Sequence, residues 1–301
     1  MPVFRLGTRG SPLALVQARM AAAALRAAHG WREAAVELVV IKTTGDRVQD
    51  RALAEIGGKA LWTKELDRAL FDGEIDAAVH SMKDVETIRP TAIAIAATLP
   101  RADVRDRLIG AETVAALPRG ARVGTSSPRR AAQLLRLRPD LKPVLFRGNV
   151  DTRLAKLAAG EADATLLAAA GLERLGRPDV GHAIPVDVML PAPAQGAVGI
   201  EVLADMPARA IVAAITHAET HACIAAERDL LAALGADCHS PVAALATIEG
   251  GRMTMRAQLL AEDGSADITG SAEGDRPDLP ETLAADLLAR APATVRRLFA
   301  A

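Results

Sequence analysis

Tyrosine is absent from this 301-residue chain, and four Phe and two Trp supply all of its large aromatic rings. That scarcity argues against a surface on which bases stack. Charge of one sign is also missing: Lys and Arg number 36 against 37 Asp and Glu, a formal charge of −1. The near balance argues against a protein that wraps nucleic acid through sheer positive charge. Two cysteines, Cys223 and Cys238, cannot build a disulfide framework. No run approaches the ~18–20 uninterrupted apolar residues of a membrane span. The opening MPVFRLGTRG carries Arg5 and Arg9 but no apolar h-region, so it does not read as a signal peptide. What is abundant is apolar: half the residues, enough for more than one core, which Ala, Leu and Val must fill. The expectation is a globular, cytoplasmic protein of about two domains' length.

The first two-thirds alternates strand-like and helix-like segments. Strands are predicted over 3–8, 36–42, 75–79, 93–98, 121–125, 144–147 and 162–167, and helices over 11–28, 59–71, 128–137 and 150–158. That alternation implies an α/β fold with crossover helices. Pro and Gly punctuation near 99 and 195 marks domain joints. Beyond 218 a long helix to 234 precedes strands over 241–248, 253–261 and 266–272, joined at Gly250-Gly251 and Asp263-Gly264. Those are hairpin signals for a small antiparallel sheet. One closing helix is expected over 280–299.

Three strand-to-helix turns carry arginine. In Arg9-Gly10-Ser11-Pro12, Ser11 is a natural N-cap and Pro12 a natural first helical residue. Ser127-Pro128-Arg129-Arg130 repeats the logic, and Arg147-Gly148-Asn149 with Arg153 offers Asn149 as a cap between arginines. Gly148 there would let backbone approach a ligand closely. A helix N-terminus is already positive, so cations placed there point to a bound carboxylate or phosphate. The alternative is that they pair with acidic residues on another element.

His80-Ser81-Met82-Lys83-Asp84 leaves a predicted strand end. An Asp held among cations there stays ionised and can stabilise a developing positive charge or move a proton; an exposed Lys–Asp pair is the plain alternative. A lone Cys is more often a small packed residue than a nucleophile, but Cys238, flanked by Asp237 and His239 in a predicted loop, is compatible with a reactive thiolate. Cys223, inside a helix, reads as packing. The histidines and cysteines show no metal-ligand spacing, and neither a dinucleotide fingerprint nor a P-loop is present.

Taken in order, TRGSPLAL (8–15), GGKALWTKEL (57–66), AVHSMKDV (78–85), GTSSPRR (124–130), RGNVDTRL (147–154), LAAAGLERLG (167–176), QGAVGIE (195–201) and Cys238 resemble the hydroxymethylbilane synthase, or porphobilinogen deaminase, family. The resemblance implies two domains like type 2 periplasmic binding proteins, with mixed sheets, and a small α+β C-terminal domain. Domain 1 would comprise 1–98 and 196–217 and carry the active-site cleft. Domain 2 would be 99–195 with the anion-binding arginines, and domain 3 would be 218–301 with the cofactor-bearing loop. The implied reaction is a transferase reaction of tetrapyrrole and heme biosynthesis. Four porphobilinogen molecules are joined head to tail with loss of ammonia, and the linear hydroxymethylbilane is then released by hydrolysis.

The implied cofactor is a dipyrromethane attached by a thioether to Cys238. Asp84 matches the catalytic carboxylate. Lys83, Asp84, Ser127, Arg129, Arg130 and Gly148 match cofactor-binding positions, and Arg9, Ser11, Arg147, Arg153, Gln195 and Lys59 substrate-binding ones. No metal, nucleic acid or membrane is implied, and the resemblance suggests a monomer. This chain departs from the family at four places. Ala194 stands where Gly commonly precedes QGA, Ala236-Asp237 where Gly-Gly often precedes the cysteine, Glu55 at an often basic position, and Pro128 for a frequent Leu. Two rival readings are a two-lobed binding protein for a carboxylated small ligand and a nucleic-acid-binding regulator using Arg129, Arg130 and Arg136.

Overall fold

A computed structural model describes residues 3–42 and 63–299; Lys59, Glu55 and the N-terminal part of the helix expected over 59–71 lie outside them. The chain divides into two compact units, Met1–Ala102 with Gly196–His221, and Asp103–Gln195 with Ala222–Ala301.

In the first unit, β1 (Phe4–Arg9), β2 (Val36–Ile41), β3 (Ala77–Ser81), β4 (Ile93–Thr98) and β10 (Val198–Leu203) form one sheet in the order β2-β1-β3-β10-β4. β1 pairs with β2 and with β3 in parallel, whereas β10 runs antiparallel to both β3 and β4. Strand alternation gives the sheet two apolar faces. Ala77 and Val79 of β3 join Ala18, Ala21 and Leu25 of α1 (Pro12–His29), while Ala78 joins Leu66 and Leu70 of α2 (Lys64–Phe71). The alanines let α1 lie close to the strands, and each fully buried leucine such as Leu25 contributes roughly 1.5–3 kcal/mol of burial.

The second unit repeats that plan. Its sheet runs β7 (Lys142–Leu145), β6 (Arg122–Thr125), β8 (Ala164–Ala168), β5 (Asp106–Ile109), β9 (His182–Ala183). β6 is parallel to β7 and β8, and β5 is antiparallel to β8 and β9. α3 (Pro128–Leu137) follows β6, α4 (Val150–Ala158) follows β7, and α5 (Ala169–Arg174) follows β8. Both five-stranded sheets are thus mixed, with three parallel strands and then two alternating ones. In each, the fourth strand, β10 or β5, follows the point where the chain passes from one unit to the other. Neither was expected from the sequence: DRLI is four residues with two of them charged, and VGIEVL carries the charged Glu201 inside its apolar run.

The same unit holds a second sheet, β11 (Val242–Glu249), β12 (Arg252–Leu260) and β13 (Asp267–Gly274), antiparallel throughout. Ala244, Ala246, Met255, Ala257 and Leu259 face a core shared with Leu230 and Leu234 from α7 (Ala218–Ala233) and its end, and with Leu283 and Leu287. A further short helix, α6 (Ala208–Ala213), packs Val212 in the first unit. Gly250 and Gly251 both have positive φ, 56° and 80°, the geometry a two-residue hairpin turn demands. The single closing helix is corrected to two, α8 (Leu279–Arg290) and α9 (Ala293–Arg296). Pro292 stands between them, and a proline can neither donate to a helix behind it nor fit its ring there.

Among the described residues no helix is long and apolar enough to cross a membrane, and no group of three or more His, Cys, Asp or Glu could hold a metal ion.

Candidate active site

Because β1 and β3 are neighbouring parallel strands, the turns that leave them share one sheet edge. Arg9 and Ser11 follow β1; Lys83 and Asp84 follow β3 in a short 3-10 turn, Met82–Asp84. Ser11 caps α1 as expected, its Oγ accepting from the Ala14 amide at 3.3 Å. Gln17 of α1 reaches across to Ser81, with Nε2 donating to Oγ at 2.8 Å, which ties the two turns together. The Met82 amide donates to the Ala197 carbonyl at 3.1 Å. Met82 itself fills the space over Gly199, where an added Cβ would stand 2.0 Å from its Sδ. The second glycine of QGAVG therefore makes room for the residue before Lys83.

In the second unit the turns after β6 and β7 likewise share an edge. Ser127 Oγ accepts from the Arg130 amide at 3.4 Å, and Asn149 Oδ1 from the Thr152 amide at 2.9 Å, so both expected N-caps are present. Arg129 and Arg130 do not point to solvent. Their side chains are buried and meet Asp106, the first residue of β5, which is fully buried. Arg129 Nη2 donates to Asp106 Oδ2 at 2.8 Å; Arg130 donates to Oδ1 from Nη2 at 2.7 Å and Nε at 3.2 Å. Gln195 Nε2 adds a bond to Oδ1 at 2.8 Å.

Burial alone would push the Asp106 carboxyl up, but Arg129 and Arg130 outweigh it and hold it well below the usual carboxylate range. Burial in turn pulls the Arg129 guanidinium below its usual value, against the opposing attraction of Asp106. The pairing with an acidic residue on another element is thus present in the fold. Two guanidiniums against one carboxylate still leave one positive charge. The Nε–H of Arg129 is buried with no acceptor, a donor that a ligand carboxylate would satisfy.

Sequence reasoning missed Asp106. Its local sequence, Arg105-Asp106-Arg107-Leu108-Ile109, sets it between two arginines, where it reads as an ordinary surface charge. Because β5 runs antiparallel to β8, its amino end lies beside the carboxyl end of β8, with Asp106 opposite Ala168.

Arg147 is buried one residue after Phe146, whose ring covers Gly124 so closely that a Cβ there would lie 2.4 Å from it. Gly148 has φ of 105°, a conformation open chiefly to glycine. Arg153 folds back over this turn, donating from Nε to the Gly148 carbonyl at 3.0 Å and from Nη2 to Ser126 Oγ at 3.2 Å.

The strap 190–195 runs past the same arginines. The Leu190 carbonyl accepts from Arg129 Nη1 at 2.8 Å and Gln133 Nε2 at 3.1 Å, and the Pro191 carbonyl from the Ala244 amide of β11 at 3.1 Å. Glu227 of α7, wholly buried, takes the Ala194 amide at 2.5 Å and the Ala246 amide at 2.7 Å. Ala194 is the one described non-glycine residue with positive φ, 61°, so the family's glycine at this place meets a real backbone requirement. A line of side chains, Gln133 to Gln258 at 2.9 Å and Gln258 to Asp267 at 2.9 Å, joins α3 to the small sheet.

Cys238 is exposed on a turn between α7 and β11, whereas Cys223 is buried. Asp237 shapes that turn: its Oδ1 accepts from the His239 amide at 2.8 Å and its own amide donates to Ser240 Oγ at 3.1 Å. Ala236 is buried at the end of the helix, with its amide on the Leu231 carbonyl at 2.9 Å. Ala-Asp before the cysteine therefore anchors the start of the turn, and Cys238 itself is exposed.

Comparison with known proteins agrees on one family. Residues 4–210 match the description "Porphobilinogen deaminase, dipyromethane cofactor binding domain", and residues 221–289 match "Porphobilinogen deaminase, C-terminal domain". The porphobilinogen deaminase of Sphingopyxis alaskensis is 59% identical over 304 residues, covering 99% of this chain and 96% of that protein. That of Paracoccus denitrificans is 50% identical over 297 residues, covering 96% and 95%. Among solved structures, an ABC transporter periplasmic substrate-binding protein from Coxiella burnetii is similar with a TM-score of 0.42 at 15% identity, covering 75% of this chain and 97% of that one. This chain belongs to the porphobilinogen deaminase family, a family of transferase enzymes with a dipyrromethane cofactor.

Proposed function

We propose that this protein is a hydroxymethylbilane synthase, which joins four porphobilinogen molecules head to tail with loss of ammonia and releases the linear product by hydrolysis. We further propose that it works as a cytoplasmic monomer without nucleic-acid or membrane partners. Its three functional domains would be 1–98 with 196–217, 99–195, and 218–301. One observation carries the reading: a single compact unit holds an exposed thiol, Cys238, together with four arginines in the turns after two adjacent parallel strands.

The residues present suit a dipyrromethane. Cys238, an exposed cysteine, would supply the sulfur of the thioether, and Arg129 offers a buried donor without an acceptor. Arg129, Arg130, Lys83, Ser127 and Gly148 would hold its acetate and propionate groups. When bound, the dipyrromethane supplies the primer on which the product chain is built. Arg9, Ser11, Arg147, Arg153, Gln195 and Lys59 are assigned to the carboxylates of incoming substrate. Guanidinium forks suit this task because each can take both oxygens of a carboxylate.

Asp84 is assigned the chemistry. As the substrate's carbon–nitrogen bond breaks, ammonia leaves with the bonding pair and positive charge spreads over the pyrrole. A fixed carboxylate opposes that charge where it develops, worth several kcal/mol in a site shielded from water. The same carboxyl can hand a proton to the leaving amine and take one back from the ring carbon that forms the new bond, since the two events are sequential.

The test is to incubate the purified protein with porphobilinogen and measure ammonia and linear tetrapyrrole. Equal ammonia release and substrate consumption, with tetrapyrrole formed, supports the synthase. A ligand-induced rise in melting temperature with no ammonia would instead establish a binding protein for a carboxylated ligand.

A further inference from the structure

The segment carrying Lys83 and Asp84 meets one buried carboxylate at both ends. Glu201, on β10 opposite Ala78 of β3, is fully buried. Its Oε2 lies 3.2 Å from His80 Nε2, four residues before Asp84. Arg89, five residues after Asp84, donates from Nε to Glu201 Oε1 at 2.9 Å and from Nη2 to Oε2 at 2.8 Å. The same guanidinium reaches Glu86 Oε2 at 2.8 Å, Asp67 Oδ1 of α2 at 2.5 Å and Thr63 Oγ1 at 3.3 Å. Thr63 holds the N-cap position of α2 without capping it; its hydroxyl donates to Glu86 at 2.8 Å instead.

None of these side chains is more than 18% exposed among the ion-paired members, so solvent screens the set weakly. Burial pushes Glu201 up, but His80 and Arg89 outweigh it and bring it to about 2. Burial likewise opposes the charge on Arg89, yet Asp67 and Glu201 raise it above its usual value. Packed apolar residues could give the same stability to a buried set like this one. What an ionic network adds is a single geometry, since shifting any member leaves a buried charge unpaired. Here that geometry fixes the backbone after Lys83-Asp84, while the pairing of His80 and Ser81 with β10 holds it before them.

We propose that Arg89 and Glu86 are positioning residues for the reaction: together with Glu201 and Thr63 they set the place of Asp84 at the edge of β3. The inference rests on the reading of Asp84 as the catalytic carboxylate. Glu86→Ala then lowers kcat by about ten- to a hundredfold per cofactor-loaded molecule, the scale expected of a small misplacement. KM stays within about twofold, because the residues assigned to the substrate's carboxylates lie outside this segment.

Thr63→Val lowers kcat in the same sense, and the double variant is no worse than Glu86→Ala alone, the non-additivity of residues acting through one contact. Glu86→Gln, which keeps an acceptor for Thr63 or Arg89, recovers part of the loss, and it replaces Glu86→Ala should the alanine variant fail to fold. Loading is read by intact mass and folding by thermal melting, so turnover is counted only over folded, loaded protein. Wild-type kcat per loaded molecule in both Glu86→Gln and Arg89→Lys, or a loss confined to KM, overturns the inference and assigns the network to stability. Wild-type turnover in Asp84→Asn overturns the reading of Asp84 and the inference with it.

Discussion

Asp106→Asn is the perturbation whose cost follows most directly from the geometry. The carboxylate accepts four hydrogen bonds, two from Arg130, one from Arg129 and one from Gln195, and is completely buried. An Asn there keeps one acceptor oxygen and turns an NH₂ toward guanidinium donors, so two buried cations lose their counter-charge. Removing one partner of a buried ion pair costs about 3–5 kcal/mol, a large part of a typical domain's stability. Equilibrium urea unfolding at pH 7 should show that loss. The pH dependence sharpens the test. Arg129 and Arg130 hold the folded-state carboxyl of Asp106 below its unfolded value, so its contribution is complete above about pH 4, the unfolded value. It is lost as pH falls further towards the folded value. The gap between wild type and Asp106→Asn should therefore be constant from pH 7 to 5 and close as pH drops below about 4. A loss under about 1 kcal/mol, or a gap that does not narrow in acid, would refute this account of the arginine pair.

Other expectations follow from single positions. Ala194→Gly should stabilise the protein by about 0.5–1 kcal/mol in urea titration, since the left-handed backbone costs alanine more than glycine loses in chain entropy. Gly148→Ala should do the reverse, because its φ is 105° and the new Cβ would stand 2.6 Å from Thr152, and by shifting Arg147 and Arg153, which bonds the Gly148 carbonyl, it should also weaken substrate binding; urea titration and KM report the two effects. Asp84→Asn should lose nearly all turnover while Asp84→Glu keeps some, in an assay of ammonia release. Near-normal rates in Asp84→Asn would remove it from the chemistry.

The features legible in the sequence were those with local causes. The caps at Ser11, Ser127 and Asn149 and the Gly250-Gly251 turn are set by side chains within a few residues of the backbone they shape, so each was visible in a short window. Strands β5 and β10 were not. What makes them strands is antiparallel pairing with segments far away in the chain. The site shows the same division. Arginines in turns announced a cationic edge, but that Asp106 organises Arg129 and Arg130 depends on the direction of β5. Likewise Glu201 and Arg89 look like ordinary surface charges in sequence, and only the pairing of β10 with β3 brings Glu201 beside His80, where Arg89 meets it. Leu287 and Pro292 illustrate a different limit, where an apolar helical pattern outlasted the proline that ends it.

The most direct test of the central claim is the intact mass of the purified protein beside that of Cys238→Ser. The account predicts a wild-type mass exceeding that of the polypeptide by two pyrrole units, no excess on Cys238→Ser, and further one-substrate increments when porphobilinogen is added to the wild type. A wild-type mass equal to that of the polypeptide both before and after incubation with porphobilinogen would contradict it.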